Sequence, residues 1–237
     1  MLWYLCLFSV ILGVRSALAP FIKPCQRGDT TCIKASAQAA VPFIAPGIPE
    51  LGINSLDPLK LAVIRGDQGG LQLTFKDTVI TGMKNCHIDN VKQDLSKGKQ
   101  TVTIRCSVTL QGNYKLGGQI LILPVQGQGK YNINIQDIII KAFTDLETVQ
   151  GSDGKPHWRI SKWRHTYQVK TGTQFQFDNL FNGNQVLAGP VQSFLNNNWR
   201  DVMQEVAPPI VNAIVAAVVD AVQALYKAVP LEELYVQ

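Results

Sequence analysis

Charge is scarce in this chain: Asp, Glu, Lys and Arg make up 16% of its 237 residues, while hydrophobic residues make up 46%. So little charge with so much apolar surface excludes a disordered chain and predicts a substantial core. Histidine is almost lacking, with only His87, His157 and His165, widely dispersed and read as sheet or surface residues. No Gly-x-Ser-x-Gly, His-Glu-x-x-His or Walker loop occurs, so neither an enzyme nor a cofactor is expected. Gly127-Gln128-Gly129-Lys130 keeps only a fragment of a phosphate loop and reads as a strand bend. Arg65-Gly66-Asp67 matches the integrin tripeptide by its letters and reads as a strand end before a turn. No Asn-x-Ser/Thr sequon is present, so N-glycosylation is not expected. The 22 basic residues exceed the 17 acidic ones but never form a run of five, so no nucleic-acid partner is expected.

Long hydrophobic runs are confined to the two ends. Leu2 to Val14 is almost continuously apolar and too short to span a bilayer, as in a secretory signal. Val14 and Ser16 place the cut after Ser16; Ala17 and Ala19 form a rival pair, but Pro20 follows them. The competing reading is an N-terminal membrane anchor. Cleavage leaves a single predicted domain over 17–237 with net charge +4, since only Arg15 is lost from the charged residues. Cys6 departs with the signal, leaving Cys25, Cys32, Cys86 and Cys106, an even count that predicts disulfides in an exported protein. Cys25 and Cys32 are close to each other and far from the rest, so they pair. Pairing Cys86 with Cys106 needs a hairpin centred near Ser96, whereas the turn signal Ser96-Lys97-Gly98-Lys99 falls a residue or two late. The alternative, a metal site using Cys86 and His87, lacks the usual ligand spacing, and no metal is expected.

Between the ends, periodicity divides the chain. Asp29 to Phe43 predicts a helix, with Asp29 or Thr30 as its cap, the stripe Ile33, Ala37, Ala40 and Val41, and Pro42 and Pro46 to stop it. Gly47 to Pro58 is a connector. From Leu59 to about Phe177 the period is two, with turn signals at Gly69-Gly70, Lys97-Gly98, Gly112-Asn113, Gly117-Gly118, Gly127-Gln128-Gly129, Ser152-Asp153-Gly154 and Thr171-Gly172. This predicts an antiparallel meander of short strands with one face buried. Gly189 to Val229 predicts one long helix, kinked at Pro208-Pro209. From Ile210 to Leu225 nearly every face of it is apolar, so it must be surrounded. Asn212, Asp220 and the proline pair argue against lipid and against stable membrane insertion. The chain's own sheet is the expected sheath.

Several blocks, taken in order, resemble insect takeout and juvenile hormone-binding proteins. They are Pro20-Phe21-Ile22-Lys23-Pro24-Cys25 with Arg27, Asp29 and Cys32; Gly47-Ile48-Pro49-Glu50-Leu51-Gly52-Ile53 through Leu56-Asp57-Pro58-Leu59; Gly112-Asn113-Tyr114 and Leu121-Ile122-Leu123-Pro124-Val125 with Gly127 and Gly129; Phe177-Asp178-Asn179-Leu180-Phe181-Asn182-Gly183; Phe194-Leu195-Asn196 with Trp199; and the closing Pro230-Leu231-Glu232-Glu233-Leu234. The resemblance implies an α+β fold in which a highly curved antiparallel sheet wraps the C-terminal helix and encloses a hydrophobic tunnel. It also implies a carrier of juvenile hormone or another hydrophobic ligand, in haemolymph or around sensory and feeding tissues. Takeout-type members commonly have only the pair matching Cys25 and Cys32, so the resemblance leaves Cys86 and Cys106 unmatched.

The expected function is therefore a secreted, monomeric carrier of a juvenile hormone-like terpenoid, a fatty acid or a related lipid. Burial of a sixteen-carbon ligand would yield on the order of 10 kcal/mol before ordering costs. Candidate tunnel residues are Phe43, Phe75, Tyr131, Phe143, Phe177, Phe181, Phe194, Val202 and Ile210. The alternative is a secreted, surface-active protein that recognises membrane or microbial lipids.

Overall fold

The computed structural model describes residues 19–68 and 70–236; the expected signal segment 1–16 lies outside them. Helix α1, Thr30–Ile44, begins where the Asp29 carboxylate accepts the Cys32 N–H at 2.9 Å. Pro42 does not stop it: one missing donor near the end is tolerated, and the helix runs on to Ile44, with Pro46 following its cap Ala45. Six strands follow: β1 Leu59–Gln68, β2 Leu71–Thr81, β3 His87–Asp94, β4 Lys99–Ile120, β5 Leu123–Gln150 and β6 Pro156–Phe177. All pairs are antiparallel, in the order β1-β2-β4-β5-β6, with β3 beside β2 on the same side of β4.

The meander is confirmed, but its strands are longer than expected: β4, β5 and β6 have 22, 28 and 22 residues. Gly112-Asn113, Gly117-Gly118, Gly127-Gln128-Gly129 and Thr171-Gly172 lie inside strands rather than at turns. The β4–β5 turn falls instead at Leu121-Ile122, between the pair Ile120 and Leu123, and leaves Ile122 79% exposed.

The sheet bends along a line of bulges. The register shifts at Asp77-Thr78 of β2, Asp89 of β3, Ser107 of β4, Asp137 of β5 and Lys170-Thr171 of β6. An extra residue on one strand locally increases twist and curvature, so bulges repeated from strand to strand curl the sheet. Polar side chains hold the bend. Arg105 donates to Asp89 at 2.9 and 3.1 Å and to Asp137 at 3.2 Å, and the Ser107 hydroxyl accepts the Asp137 N–H at 3.0 Å.

The Asp89 bulge also resolves the hairpin register. Near its turn the hairpin pairs Asp94 with Lys99, and beyond the bulge it pairs His87 with Arg105. That one-residue shift brings Cys86 opposite Cys106, and the two are bonded with Cα atoms 4.5 Å apart. Cys25 and Cys32 are likewise bonded, at 5.7 Å. The Cys86–Cys106 bridge closes a loop of 20 residues. Its removal by Cys86→Ser with Cys106→Ser is expected to lower the unfolding free energy by about 3 kcal/mol, read from the urea midpoint.

The C-terminal rod is two helices rather than one. Helix α2 spans Gln185–Asn197, beginning before Gly189 because the Asn184 side chain caps it. Asn198 then leaves helical geometry, and both its backbone N–H and its side-chain amide donate to the Phe194 carbonyl at 2.9 Å. Helix α3, Trp199–Ala228, continues through Pro208-Pro209, and the short α4, Leu231–Leu234, follows it. Helix α3 is about 45 Å long.

The curled sheet is open: β1 and β6 do not pair, and α3 packs along both. Gly66 of β1 accommodates Pro209 of α3 so closely that a Cβ at residue 66 would lie 2.9 Å from the Pro209 ring. The Arg65-Gly66-Asp67 tripeptide is thus part of β1, with its glycine serving the strand–helix contact. By length and composition α3 could cross a bilayer, yet half of its most apolar window is buried against the sheet. Its outward strip carries Asn212, Asp220 and Lys227, so the sheath covers most of the helix, not all of it.

Candidate functional site

The bulge line divides the sheet's inner face into a packed half and a half-open one. In the packed half, Phe75 meets Tyr131 at 4.5 Å between ring centroids, and Tyr114 meets Phe177 at 4.8 Å. All four are buried. Tyr131 shares a 2.7 Å hydrogen bond with Thr78, and Tyr114 donates to the Asp178 carbonyl at 2.7 Å. Burial pushes both phenols up to about 12.

Beyond the bulges the inner face changes character. Alternation along β6 turns Trp163, His165, Tyr167 and Val169 inward, between the exposed Lys162, Arg164, Thr166 and Gln168. Ala142 and Ile140 of β5 stand opposite His165 and Tyr167, and Val102 and Ile104 of β4 stand opposite those. Ile104, Ile140, Trp163, Tyr167 and Val169 pack against the core, yet every residue of this patch is only half-buried. Their retained accessible surface makes this inward-facing apolar patch the candidate wall for a ligand.

Next to this patch along β6, aromatic rings and both ends of the described chain come together. Trp158 meets Tyr226 of α3 at 5.2 Å and Tyr235 at 5.3 Å. Gln100 donates to the Tyr226 hydroxyl at 3.3 Å, and Tyr235 donates to Gln93 at 2.8 Å. The Cys25 N–H donates to the Leu234 carbonyl at 3.2 Å, and the Val236 N–H to the Cys25 carbonyl at 3.0 Å, which ties the two ends together. The Cys25–Cys32 bridge anchors that tie to α1. His157 is part of this closure: its Nδ1 donates to the Tyr226 carbonyl at 3.0 Å, and its Nε2 faces Asp153 at 3.1 Å.

Two concavities are lined by other residues. One, of about 620 Å³, sits on the outer face at the bulges, between Ser107, Thr109, Asn134, Gln136, Asp137 and Thr171. The other, of about 540 Å³, lies where the Gly52–Leu61 segment meets Ala217, Asp220 and Ala221 of α3.

The nine aromatic and aliphatic candidates are dispersed by this geometry. Phe75, Tyr131 and Phe177 come together in the packed half, where Val202 and Ile210 of α3 are buried too. Phe181 and Phe194 are half-buried, the former against the core. Phe43 is 54% exposed and stacks on Phe21 at 5.3 Å, so it lies outside the interior. Phe143 faces outward, with the Arg164 guanidinium 4.0 Å and the Lys141 ammonium 5.0 Å from its ring centroid. A strand's alternation decides this last placement: Thr144 and Leu146 point in, so Phe143 points out. Cys86 is committed to its bridge, which removes it as a metal ligand.

The half-open patch contains none of the nine. Its signal in the sequence was the strict alternation of Trp163, His165 and Tyr167 with charged and polar neighbours.

Residues 3–236 match the family model described as haemolymph juvenile hormone binding protein (JHBP). The chain belongs to that family. Among JHBP-family relatives, it is 27% identical to circadian clock-controlled protein daywake of Drosophila melanogaster, across 98% of this chain and 92% of that one. It is 23% identical to a putative beta-carotene-binding protein of Schistocerca gregaria, across 86% and 82%. The crystal structure of Epiphyas postvittana Takeout 1 superposes with a TM-score of 0.88 at 33% identity, covering 91% of this chain and all of that one. The JHBP-family fold of a curled antiparallel sheet with a long C-terminal helix is therefore the fold of this protein.

His165 gives the half-open patch a pH signature. Burial lowers its pKa from the ordinary 6.5, so the folded protein favours the neutral ring. A histidine whose folded value is depressed contributes stability above its unfolded value and loses it as pH falls below that value. Thermal melts should therefore show a decline beginning near pH 6.5 that His165→Gln removes. The carboxylates of Asp94, Glu147 and Asp153 are held low by hydrogen bonds and lose their contribution only in more acidic solution.

Proposed function

We propose that this protein is a secreted carrier that holds a hydrophobic small molecule between the half-open inner face of its sheet and α3. The observation that carries this reading is the patch of Val102, Ile104, Ile140, Ala142, Trp163, Tyr167 and Val169, which faces inward yet is incompletely covered. Membership of the JHBP family supports it, as does the name of the Schistocerca relative, which specifies an apolar polyene. Two disulfides accord with an oxidising, extracellular compartment. A sixteen-carbon occupant, at about 0.8 kcal/mol per buried methylene, could reach micromolar affinity through burial alone. The carrier acts as a monomer, and its scattered basic residues give no stripe for nucleic acid.

Protein purified from its natural source, analysed by native mass spectrometry and then denatured and extracted, should release one apolar molecule per chain. Recovery of empty protein that also takes up no lipid in solution would end the carrier reading. A second reading, recognition of a lipid surface, draws on the exposed Ile122 at a hairpin tip and Val186 at the start of α2. Vesicle co-sedimentation separates the two: a loaded carrier stays in the supernatant, whereas a surface-active protein pellets.

A further inference from the structure

We propose that Trp163, His165 and Tyr167 form a polar rail along one wall of the ligand space, and that it selects an uncharged, oxygen-bearing apolar ligand over a fatty-acid anion. This rests on the carrier reading and specifies the chemistry of its ligand.

The three rings follow one another on alternate residues of β6, with centroids 6.0 Å apart from Trp163 to His165 and 6.4 Å apart from His165 to Tyr167. Their planes differ by only 26° and 27°, so the ring faces form one ladder. Each carries a hydrogen-bonding group: the indole N–H, the imidazole nitrogens and the phenol. None of these groups is hydrogen-bonded to another described residue, in contrast to Tyr114, Tyr131, Tyr226, Tyr235 and His157. Among the described residues, the buried Tyr114, Tyr131, Tyr226, Tyr235 and His157 are thus tied to protein partners, whereas the indole of Trp158 meets only other rings. Among the described residues, this rail is where three neighbouring tips are left for something else.

Opposite the rail the wall is hydrocarbon, from Val102, Ile104, Ile140 and Ala142. The cations of this region point the other way: Lys162, Arg164 and Lys170 alternate outward along β6, and Lys141 and Arg164 lie over the outer ring of Phe143. A carboxylate brought inside would thus meet donors but no opposite charge, and burying an unpaired ion is strongly unfavourable. Burial also favours the neutral His165 ring, and the Tyr167 phenol is pushed up, so neither supplies a full charge at neutral pH. An ester, ketone or alcohol oxygen needs only the donors that are there. Sites that offer hydrogen bonds discriminate strongly against partners that leave those bonds unmade.

The test uses the full mature protein, stripped of lipid, with hexadecane, methyl palmitate and palmitate as separate probes. Bound probe is counted after gel filtration over a concentration series at pH 8. We expect methyl palmitate to bind at least about tenfold tighter than palmitate. His165→Leu with Tyr167→Phe should weaken methyl palmitate about tenfold while leaving hexadecane within about twofold. His165→Lys, which places a cation on the rail, should reverse the preference in favour of palmitate. If palmitate binds the unaltered protein as tightly as its ester, the rail does not select and the proposal fails, although the carrier reading stands. Equal loss of hexadecane and ester in the double variant would make the rail a plain wall and also overturn it. If no probe binds the unaltered protein, the carrier reading itself fails. The His165→Lys arm keeps the proposal testable if the double variant does not fold.

Discussion

Phe75→Ala is expected to lower the unfolding free energy of ligand-free protein by about 3–5 kcal/mol, whereas Ile140→Ala should cost only about 1 kcal/mol. Both residues lie on the inner face of the sheet, but on opposite sides of the bulge line. Phe75 is 1% exposed and touches the ring of Tyr131, whose hydroxyl bonds Thr78, so truncation leaves a cavity among close-packed neighbours. Ile140 is only half-buried, so its truncation gives up fewer close contacts. Ligand binding should rank them the other way. Ile140→Ala removes part of the wall and should weaken an apolar ligand several-fold, while Phe75→Ala should leave affinity unchanged in the molecules that remain folded. Urea unfolding without ligand, followed by titration well below each midpoint, measures both. A mild Phe75→Ala that alters ligand capacity would place the binding space in the half that appears here as solid core.

That contrast shows what periodicity carries and what it leaves out. The period of two from Leu59 to Phe177 identified the meander, and the all-round apolar stretch from Ile210 to Leu225 identified the element it covers, because both patterns follow directly from burial. The ends of strands were less legible. Glycine pairs mark turns and also places inside long strands where backbones crowd or bend, and Gly112, Gly118 and Gly129 are of the second kind. The bulges were not legible at all. A single extra residue in an alternating run, such as Asp89 or Asp137, shifts every later side chain to the opposite face, but its position depends on the partner strand. Hence Phe143, expected in the interior, lies outside, beyond the Asp137 bulge of its own strand. Cys86 and Cys106 show the same effect in reverse, since their bond depends on the Asp89 bulge that the turn signal alone could not reveal. The break in the C-terminal rod likewise turned on Asn198, a residue whose cap is visible only once Phe194 is helical.

The polar residues of α2 and α3 that interrupt the apolar stripe lead to the second large effect, on the free edge of β6. Among the described residues no strand lies beside that edge, and unpaired strand edges invite pairing with other chains. Here side-chain amides take the place of a strand. Asn196 accepts the Phe175 N–H at 2.7 Å and returns a bond to the Phe175 carbonyl at 3.0 Å. Gln192 accepts the Phe177 N–H at 3.1 Å and also donates to that carbonyl, and Gln223 accepts the Ile160 N–H at 2.7 Å. Replacing all three by leucine leaves these backbone groups without partners in a half-buried seam. Each orphaned donor costs about 1–3 kcal/mol, so the triple variant should lose several kcal/mol, and more than the Cys86–Cys106 bridge contributes. It should also acquire a concentration-dependent dimer, detectable by light scattering, as the uncovered β6 edge pairs with itself. The exposed Gln204→Leu on α3, which bonds to no strand, serves as the control for added surface hydrophobicity. If the triple variant stays monomeric and as stable as that control, helix packing alone protects the edge and the amides contribute nothing to it.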